Sequence, residues 1–355
     1  MLDNTQKVRL GVIGAGRIAQ AAHLPALVKA KNLELVAISD PSPALAQGVA
    51  ARYGIKGFTD TEELLRHELD AVLIATPDRF HRSLGALALN AGKHVLMEKP
   101  LASTSTEAAE LADLAHEKGL KLQTGAMKRH DPGIAFARQH LPRIGRILSL
   151  TSWYRVMSDR HPIEATLFPG DLVVDPEVRR VEQQFKADRE RYLLATHGAH
   201  LFDGLRFFGG PSSWVSARVG NVGEDYTWKG VADLTNSGGL ISFEISTTVH
   251  GDYAEGMDVY GEHGHISIRT HFPFFKRASS VSVHIEADGT SISNHPGDTD
   301  AYKLQAEYFA RAILENLPTS PDPEEGVAAV RWIEAVSESS TNDGAQVALQ
   351  QKVLL

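Results

Sequence analysis

Residues 8–40 constrain this chain more than any other stretch. An apolar run through Val8, Leu10, Val12 and Ile13 meets Gly14-Ala15-Gly16-Arg17-Ile18-Ala19, and a second run, Leu33-Glu34-Leu35-Val36-Ala37-Ile38, ends on Ser39-Asp40. A strand, a glycine turn, a helix and a second strand closed by an acid compose the unit that holds a dinucleotide. Gly14 suits the tight turn, Gly16 lets backbone approach a pyrophosphate, and Ala19 permits close helix–strand packing. The free N–H groups of the helix start, from Arg17 and Ile18 onward, then face the phosphates. Asp40 stands about twenty residues beyond the turn, where a carboxylate accepts both ribose hydroxyls. The expected cofactor is therefore NAD, with NADP disfavoured by like-charge repulsion at the 2′-phosphate.

At 355 residues the chain is too long for one ordinary core and suits two domains. The formal charge of −8 is dispersed, which argues against nucleic-acid and anionic-membrane partners. With no cysteine there is no disulfide, thiolate nucleophile or cysteine-ligated zinc, and no metal site is expected. No apolar run reaches the roughly 18–20 residues of a membrane span, and Met1–Gln6 lacks an apolar signal core, so the expected location is cytoplasmic.

The first 125 residues alternate short apolar runs with helical patterns, the signature of a parallel sheet covered on both faces. Helices are expected at 43–53, after Thr59-Asp60, at 79–91 and at 104–118, with strands at 71–75, 94–97 and 120–124 and a minor one near Gly57-Phe58. Thr76 and Pro77 end one strand and Glu98-Lys99-Pro100 another. Both steps lie at the carboxyl edge, where ligands of such sheets bind. Lys99 is open to two readings: an amine partly desolvated in a closing site, able to give a proton or hold an alkoxide, or a surface lysine beside a turn.

The glycine turn with His23-Leu24-Pro25, the Ala75-Thr76-Pro77 step with His81, Glu98-Lys99-Pro100, Met127-Lys128-Arg129-His130-Asp131-Pro132 and His200-Leu201-Phe202-Asp203 follow one another in an order that resembles the Gfo/Idh/MocA oxidoreductases. The resemblance covers almost the whole chain. It implies an α/β protein with an N-terminal Rossmann dinucleotide-binding domain, residues 1–125. A C-terminal α+β domain with a large, mainly antiparallel open sheet follows, residues 126–355. The resemblance implies that His81, Glu98 and Pro100 lie at the cofactor site, that Lys99 is catalytic, and that His200 is the acid/base. The family often places an aspartate four residues before that histidine, where this chain has Thr196, and a hydroxyl cannot stabilise an imidazolium as a carboxylate does. Asp203, His197 or a water are the candidates to replace it.

Beyond residue 125 a helix is expected at 131–140 and a strand at 147–155, after which alternation fails from Met157 to Val178. The segment 157–191, with His161-Pro162, Phe168-Pro169 and Asp175-Pro176, reads as a lid, an oligomer contact or a solvated insertion. As a lid it would affect substrate affinity and leave NAD affinity intact. Short alternating runs from 213 to 295 suit an antiparallel sheet with one covered face. His263 and His265 are expected on one face of an edge strand, and helices at 301–316 and 324–339 as packing elements. Lys128, Arg129, Tyr154 and Arg155 offer directional donors and are candidate substrate contacts.

These features together predict an NAD-dependent dehydrogenase acting on a secondary hydroxyl of a sugar, glycoside or cyclic polyol, in a homodimer or homotetramer. His200 would take the hydroxyl proton while Lys99 bonds the same oxygen. An NAD-retaining glycoside-cleaving enzyme, a sugar reductase and a non-enzymatic sensor of NAD or sugar are the other readings.

Overall fold

The computed structural model describes residues 6–157 and 172–349, apart from the side chain of residue 248. They form two compact units, neither of which is one continuous stretch. The first takes in the chain up to Met127 and, from later in the sequence, the described residues through Asp188 and Tyr302–Val330. The second comprises the remaining described residues.

In the first unit, six strands pair in the order β3-β2-β1-β4-β5-β6: β1 Val8–Ile13, β2 Leu33–Ser39, β3 Lys56–Phe58, β4 Ala71–Ile74, β5 His94–Glu98 and β6 Leu122–Gly125. Every pair is parallel. Ala71 and Leu73 of β4 enter one hydrophobic cluster and Val72 and Ile74 the other, so both faces are buried and the strand reads as an unbroken apolar run. The order reverses between β1 and β4, which places a ligand crevice at their carboxyl ends. Local chemistry sets the helix limits. Ser42 caps Pro43–Tyr53 by accepting from Leu45 N–H and Gly54 ends it at φ 66°, while Thr104 and Gly119 do the same for Ser105–Lys118. The helix after the glycine turn is not regular. A π segment, Ala19–His23, inserts a residue and places two polar side chains, Gln20 and His23, in the buried wall.

In the second unit, nine strands pair in the order β14-β13-β12-β11-β7-β10-β9-β8-β15. They are β7 Ile147–Met157, β8 Trp214–Val222, β9 Asp225–Leu234, β10 Gly239–Val249, β11 Ala254–Gly261, β12 Gly264–Thr270, β13 Ser280–Ile285, β14 Thr290–Asn294 and β15 Val347–Ala348. All neighbours are antiparallel except β10 and β7. On β7, Leu150, Ser152, Tyr154 and Val156 are buried while Ser149 and Thr151 are exposed, the alternation of a sheet covered on one face. The 21-residue helix Arg189–Gly209 supplies that cover, burying Leu201, Phe202, Leu205 and Phe208. Phe202 stacks on Trp332 with ring centroids 5.2 Å apart.

Two expectations about this sheet need correction. His263 lies in the turn between β11 and β12 and not on a strand, so it shares no strand face with His265. Nor is β12 an edge: it is bonded on both sides, and His265 lies between Tyr260 and His284, its ring centroid 5.3 and 5.4 Å from theirs.

Candidate active site

The two glycines of the turn are needed for different reasons. Gly14 has φ 97°, and a Cβ there would stand 2.7 Å from the Ala75 carbonyl oxygen, so the fold itself demands glycine. At Gly16 a Cβ would meet nothing within 4 Å. No protein atom requires glycine at that position, and the open space fits a cradle for a pyrophosphate beside the helix start. Arg17 is exposed and Ile18 half-buried at that start.

Asp40, 8% exposed, stands behind the loop and accepts from Ala15 N–H on Oδ2 and Ser42 N–H on Oδ1, each at 2.9 Å. Burial pushes its carboxyl above the usual value, opposed by those two N–H groups, and the charge of Asp175 adds to the rise. One lone pair on each oxygen is used, and a carboxylate has about four in all, which leaves room for ribose hydroxyls.

Behind Lys99 lies a buried support. His23 Nε2 is 2.6 Å from Glu98 Oε1, and Glu98 Oε2 accepts from Lys99 N–H at 3.0 Å. Burial alone would raise the Glu98 carboxyl; the hydrogen bond and charge of His23, with the Lys99 charge and N–H, hold it below its ordinary value. His81, 1% exposed, sets Nδ1 2.8 Å from Pro100 O and Nε2 2.9 Å from Thr76 O, and burial lowers its pKa. Glu98 and His81 therefore position the carboxyl edge that carries Thr76, Pro77, Lys99 and Pro100. Their side chains thus support the edge at which the cofactor is expected. Lys99 and Pro100 themselves are half-buried.

In the second unit, the helix Arg189–Gly209 carries Thr196, His197, His200 and Asp203, and the last two line an open cleft of about 470 Å³ whose walls also include Lys128, Arg129, Phe207 and Glu255. His200 is half-buried and lies parallel to the Tyr154 ring, 6.0 Å away with 3° between planes. His197 is buried 5.2 Å from the same ring. Lys128 Nζ lies 4.6 Å above Tyr154 and pairs with Glu255, which also accepts from the Tyr253 hydroxyl. Burial, and then the Glu255 charge, push the Tyr253 hydroxyl well above its ordinary pKa, so it remains a donor.

Arg129 and Asp203 are nearly sealed and pair with each other: Arg129 Nε is 3.0 Å from both carboxylate oxygens and Nη2 is 2.8 Å from Oδ1. Asp203 thus already carries a counter-charge, which weakens it as a replacement for an aspartate at Thr196. Arg155 is a correction. It neighbours Tyr154 on β7 and so points to the opposite face of the sheet, where it pairs with Glu244 at 2.7 Å. Glu255 and Tyr253 were not singled out in the sequence. Two polar residues two apart entering a strand were the available signal, but their partner Lys128 lies 127 positions earlier.

The segment 157–191, read from the sequence as a lid, an oligomer contact or a solvated insertion, divides. Residues 158–171 lie outside the described residues, whereas 172–188 belong with the first unit and bond to the glycine-turn helix and to Ser42. That placement sets residues 173 and 175 beside the glycine turn and Ser42.

A Rossmann sheet with an open phosphate cradle and a ribose carboxylate, carried with a histidine-bearing polar cleft, defines a nucleotide-dependent oxidoreductase. Comparison with known proteins agrees. The model for the oxidoreductase family's NAD-binding Rossmann fold matches residues 8–126, and that for its C-terminal alpha/beta domain matches residues 192–349. The chain belongs to the Gfo/Idh/MocA oxidoreductase family. Inositol 2-dehydrogenase of Rhizobium meliloti is 26% identical over 342 residues, covering 94% of this chain and 96% of that protein. D-xylose 1-dehydrogenase (NADP(+)) 2 of Haloferax volcanii is 28% identical over 342 residues, covering 94% and 98%. Levoglucosan dehydrogenase in complex with NADH shares the fold, with a TM-score of 0.80 at 21% identity over 98% of this chain and 100% of that one. Among the described residues no helix is long and apolar enough to cross a membrane.

Proposed function

We propose that this protein is an NAD-dependent dehydrogenase that oxidises a secondary hydroxyl of a sugar, glycoside or cyclic polyol. The observation that carries the reading is His200, half-buried in an open polar cleft beside the Lys128–Glu255 pair and the Tyr154 ring. Such a lining presents a cation, a carboxylate, an imidazole and an aromatic face, which together bond a polyhydroxylated molecule and stack on its C–H surface. The relatives named as inositol and xylose dehydrogenases support that substrate class.

NAD, when bound, supplies the hydride acceptor. The protein's own part is to hold the dinucleotide through Gly14, Gly16 and Asp40, to position Lys99 through Glu98 and His23, and to move one proton. His200 is assigned the role of general base for the hydroxyl proton, and Lys99 that of the cation that stabilises the developing alkoxide. Lys128 orients the substrate, itself oriented by Glu255 and Tyr253. The open face of the second unit's sheet, bearing Leu240, Tyr260 and Val231 at 55%, 49% and 42% exposure, is assigned to pairing with a second copy, giving a homodimer or homotetramer. A cytoplasmic location belongs to the same reading.

The test is NAD reduction, followed by the absorbance of the reduced nicotinamide, against a panel of sugars, glycosides and inositols. Lys99→Met and His200→Ala are measured on the best substrate. Each should lower kcat by about 10²-fold or more, with the NAD dissociation constant nearly unchanged and one limb of the pH profile lost in His200→Ala. Near-normal turnover in either variant removes that residue from the chemistry.

A further inference from the structure

The stretch that begins at residue 172 forms a strap across the carboxyl edge of the first unit's sheet. Val173 is held like a strand partner by one side chain: its N–H donates to Gln20 Oε1 and its carbonyl accepts from Gln20 Nε2, both at 2.9 Å. The same Gln20 amide donates to Ala15 O at 2.8 Å, inside the glycine turn. Gly48 leaves room for the Val173 side chain, since a Cβ there would stand 3.0 Å from Val173 Cγ1. Asp175 then caps the helix Pro176–Phe185, accepting on Oδ1 from Glu177 and Val178 N–H, and accepts on Oδ2 from the Ser42 hydroxyl at 2.6 Å. At the far end, Phe185 lies under the Arg79 guanidinium at 3.7 Å. Gln20, Ser42 and Arg79 follow β1, β2 and β4 in turn, so the strap runs along the edge where a dinucleotide binds.

Ser42 is the informative residue. A serine just after the ribose acid is well suited to bond a 2′-phosphate, having a hydroxyl and an N–H to donate. Here both donors serve carboxylates: the N–H goes to Asp40 Oδ1 and the hydroxyl to Asp175 Oδ2. Two acids thus share one serine at the ribose end of the site. We propose that Asp175 is a second specificity-determining residue for the cofactor, acting with Asp40 to exclude the 2′-phosphate of NADP by charge and by occupying the donor that would otherwise hold it. The proposal rests on the reading of this unit as an NAD site. A serine flanked by two carboxylates offers ribose hydroxyls acceptors and offers a phosphate none of the donors it needs.

The test is titration calorimetry of the full chain with NAD and, separately, NADP. Asp175→Asn removes the charge while its Oδ1 still caps the helix; its Nδ2 then donates to the Ser42 oxygen, which releases the Ser42 hydroxyl proton. Asp175→Ser, which also caps, serves if the first variant folds poorly. A charge of this kind a few ångströms beyond Asp40 predicts a roughly tenfold gain in NADP affinity in either variant at low salt, shrinking as salt is raised, with NAD affinity moving less than about threefold. Asp40→Asn is titrated alongside and should raise NADP affinity more. If Asp40→Asn gains NADP affinity and both Asp175 variants do not, Asp175 is only a helix cap and the proposal fails while the NAD reading stands. If the wild type binds NADP as tightly as NAD, the reading of the ribose site fails and the proposal falls with it.

Discussion

Replacing Gly14 and Gly16 by alanine, one at a time, should have opposite consequences although the two stand in the same turn. At Gly14 the backbone is left-handed, which costs a non-glycine residue roughly 1–2 kcal/mol. The new methyl would also lie 2.7 Å from the Ala75 carbonyl oxygen, a backbone atom that cannot swing aside. With crowding of that kind adding roughly 1–3 kcal/mol, Gly14→Ala should lose about 2–5 kcal/mol, a fall in Tm of roughly 4–20 °C at about 2–4 °C per kcal/mol. At Gly16 the methyl meets nothing within 4 Å and the backbone is not left-handed. The unfolded chain of Gly16→Ala has less entropy to lose, so the apo protein should be as stable as the wild type or more so by about 0.4–1 kcal/mol. Its methyl fills the space assigned to the pyrophosphate, and the NAD dissociation constant should rise at least tenfold, about 1.4 kcal/mol. Differential scanning calorimetry of the apo proteins and titration with NAD separate the two effects. Wild-type NAD affinity in Gly16→Ala, or a stability loss equal to that of Gly14→Ala, would refute the reasoning, because the open space at Gly16 would then have no ligand to explain it.

Two further outcomes concern charges in the second unit. Arg129→Met removes the guanidinium paired with the buried Asp203 carboxylate and should cost about 3–5 kcal/mol in urea unfolding; a loss under about 1 kcal/mol would mean that the pair is solvated. Glu244 is held down to about 2, first by the hydrogen bond from Arg155 against the rise due to burial, then by Ser246 and Lys229. Since the folded value lies below the ordinary 4.5, the stability this carboxylate contributes is present above pH 4.5 and is lost as pH falls toward 2. Arg155→Met should therefore flatten the fall in stability across that window, measured by urea titrations at a series of pH values, while kcat stays near wild type. An unchanged pH slope would assign the acid sensitivity to other groups.

Much of the Rossmann unit was legible because its signals are local. Ser42-Pro43 and Gly54 bracket a helix observed at Pro43–Tyr53, and the apolar run from Ala71 ends at Thr76-Pro77. The glycine turn and Asp40 likewise sit within one βαβ stretch. Legibility failed where a partner lies far off in sequence. Nothing near Gln20 indicates that its amide will clasp Val173, 153 positions away, and nothing near Lys128 predicts Glu255. Arg155 was misplaced for a different reason: it and Tyr154 are both good donors, but strand pleat allows only one of two neighbours into the same cleft. The π segment at Ala19–His23 was also invisible, since it keeps helical composition while shifting which side chains face inward.

The discontinuous build of the first unit bears on any attempt to exchange cofactor domains between relatives. A graft cut after β6 would carry the sheet and the glycine turn, yet it would leave behind Phe309 and Ala310, which are fully buried in the cluster around Val8, Leu10 and Leu24. It would also lose Tyr302, whose ring meets the edge of His23 at 5.1 Å, and Val173, which occupies the Gln20 amide. Gln20 would then expose a polar clasp with nothing in it, and His23, the support of Glu98 and so of Lys99, would lose its aromatic neighbour. Three pieces of chain must travel together, so recombination within this family is expected to succeed by exchanging whole chains or surface loops and to fail at the boundary that looks simplest.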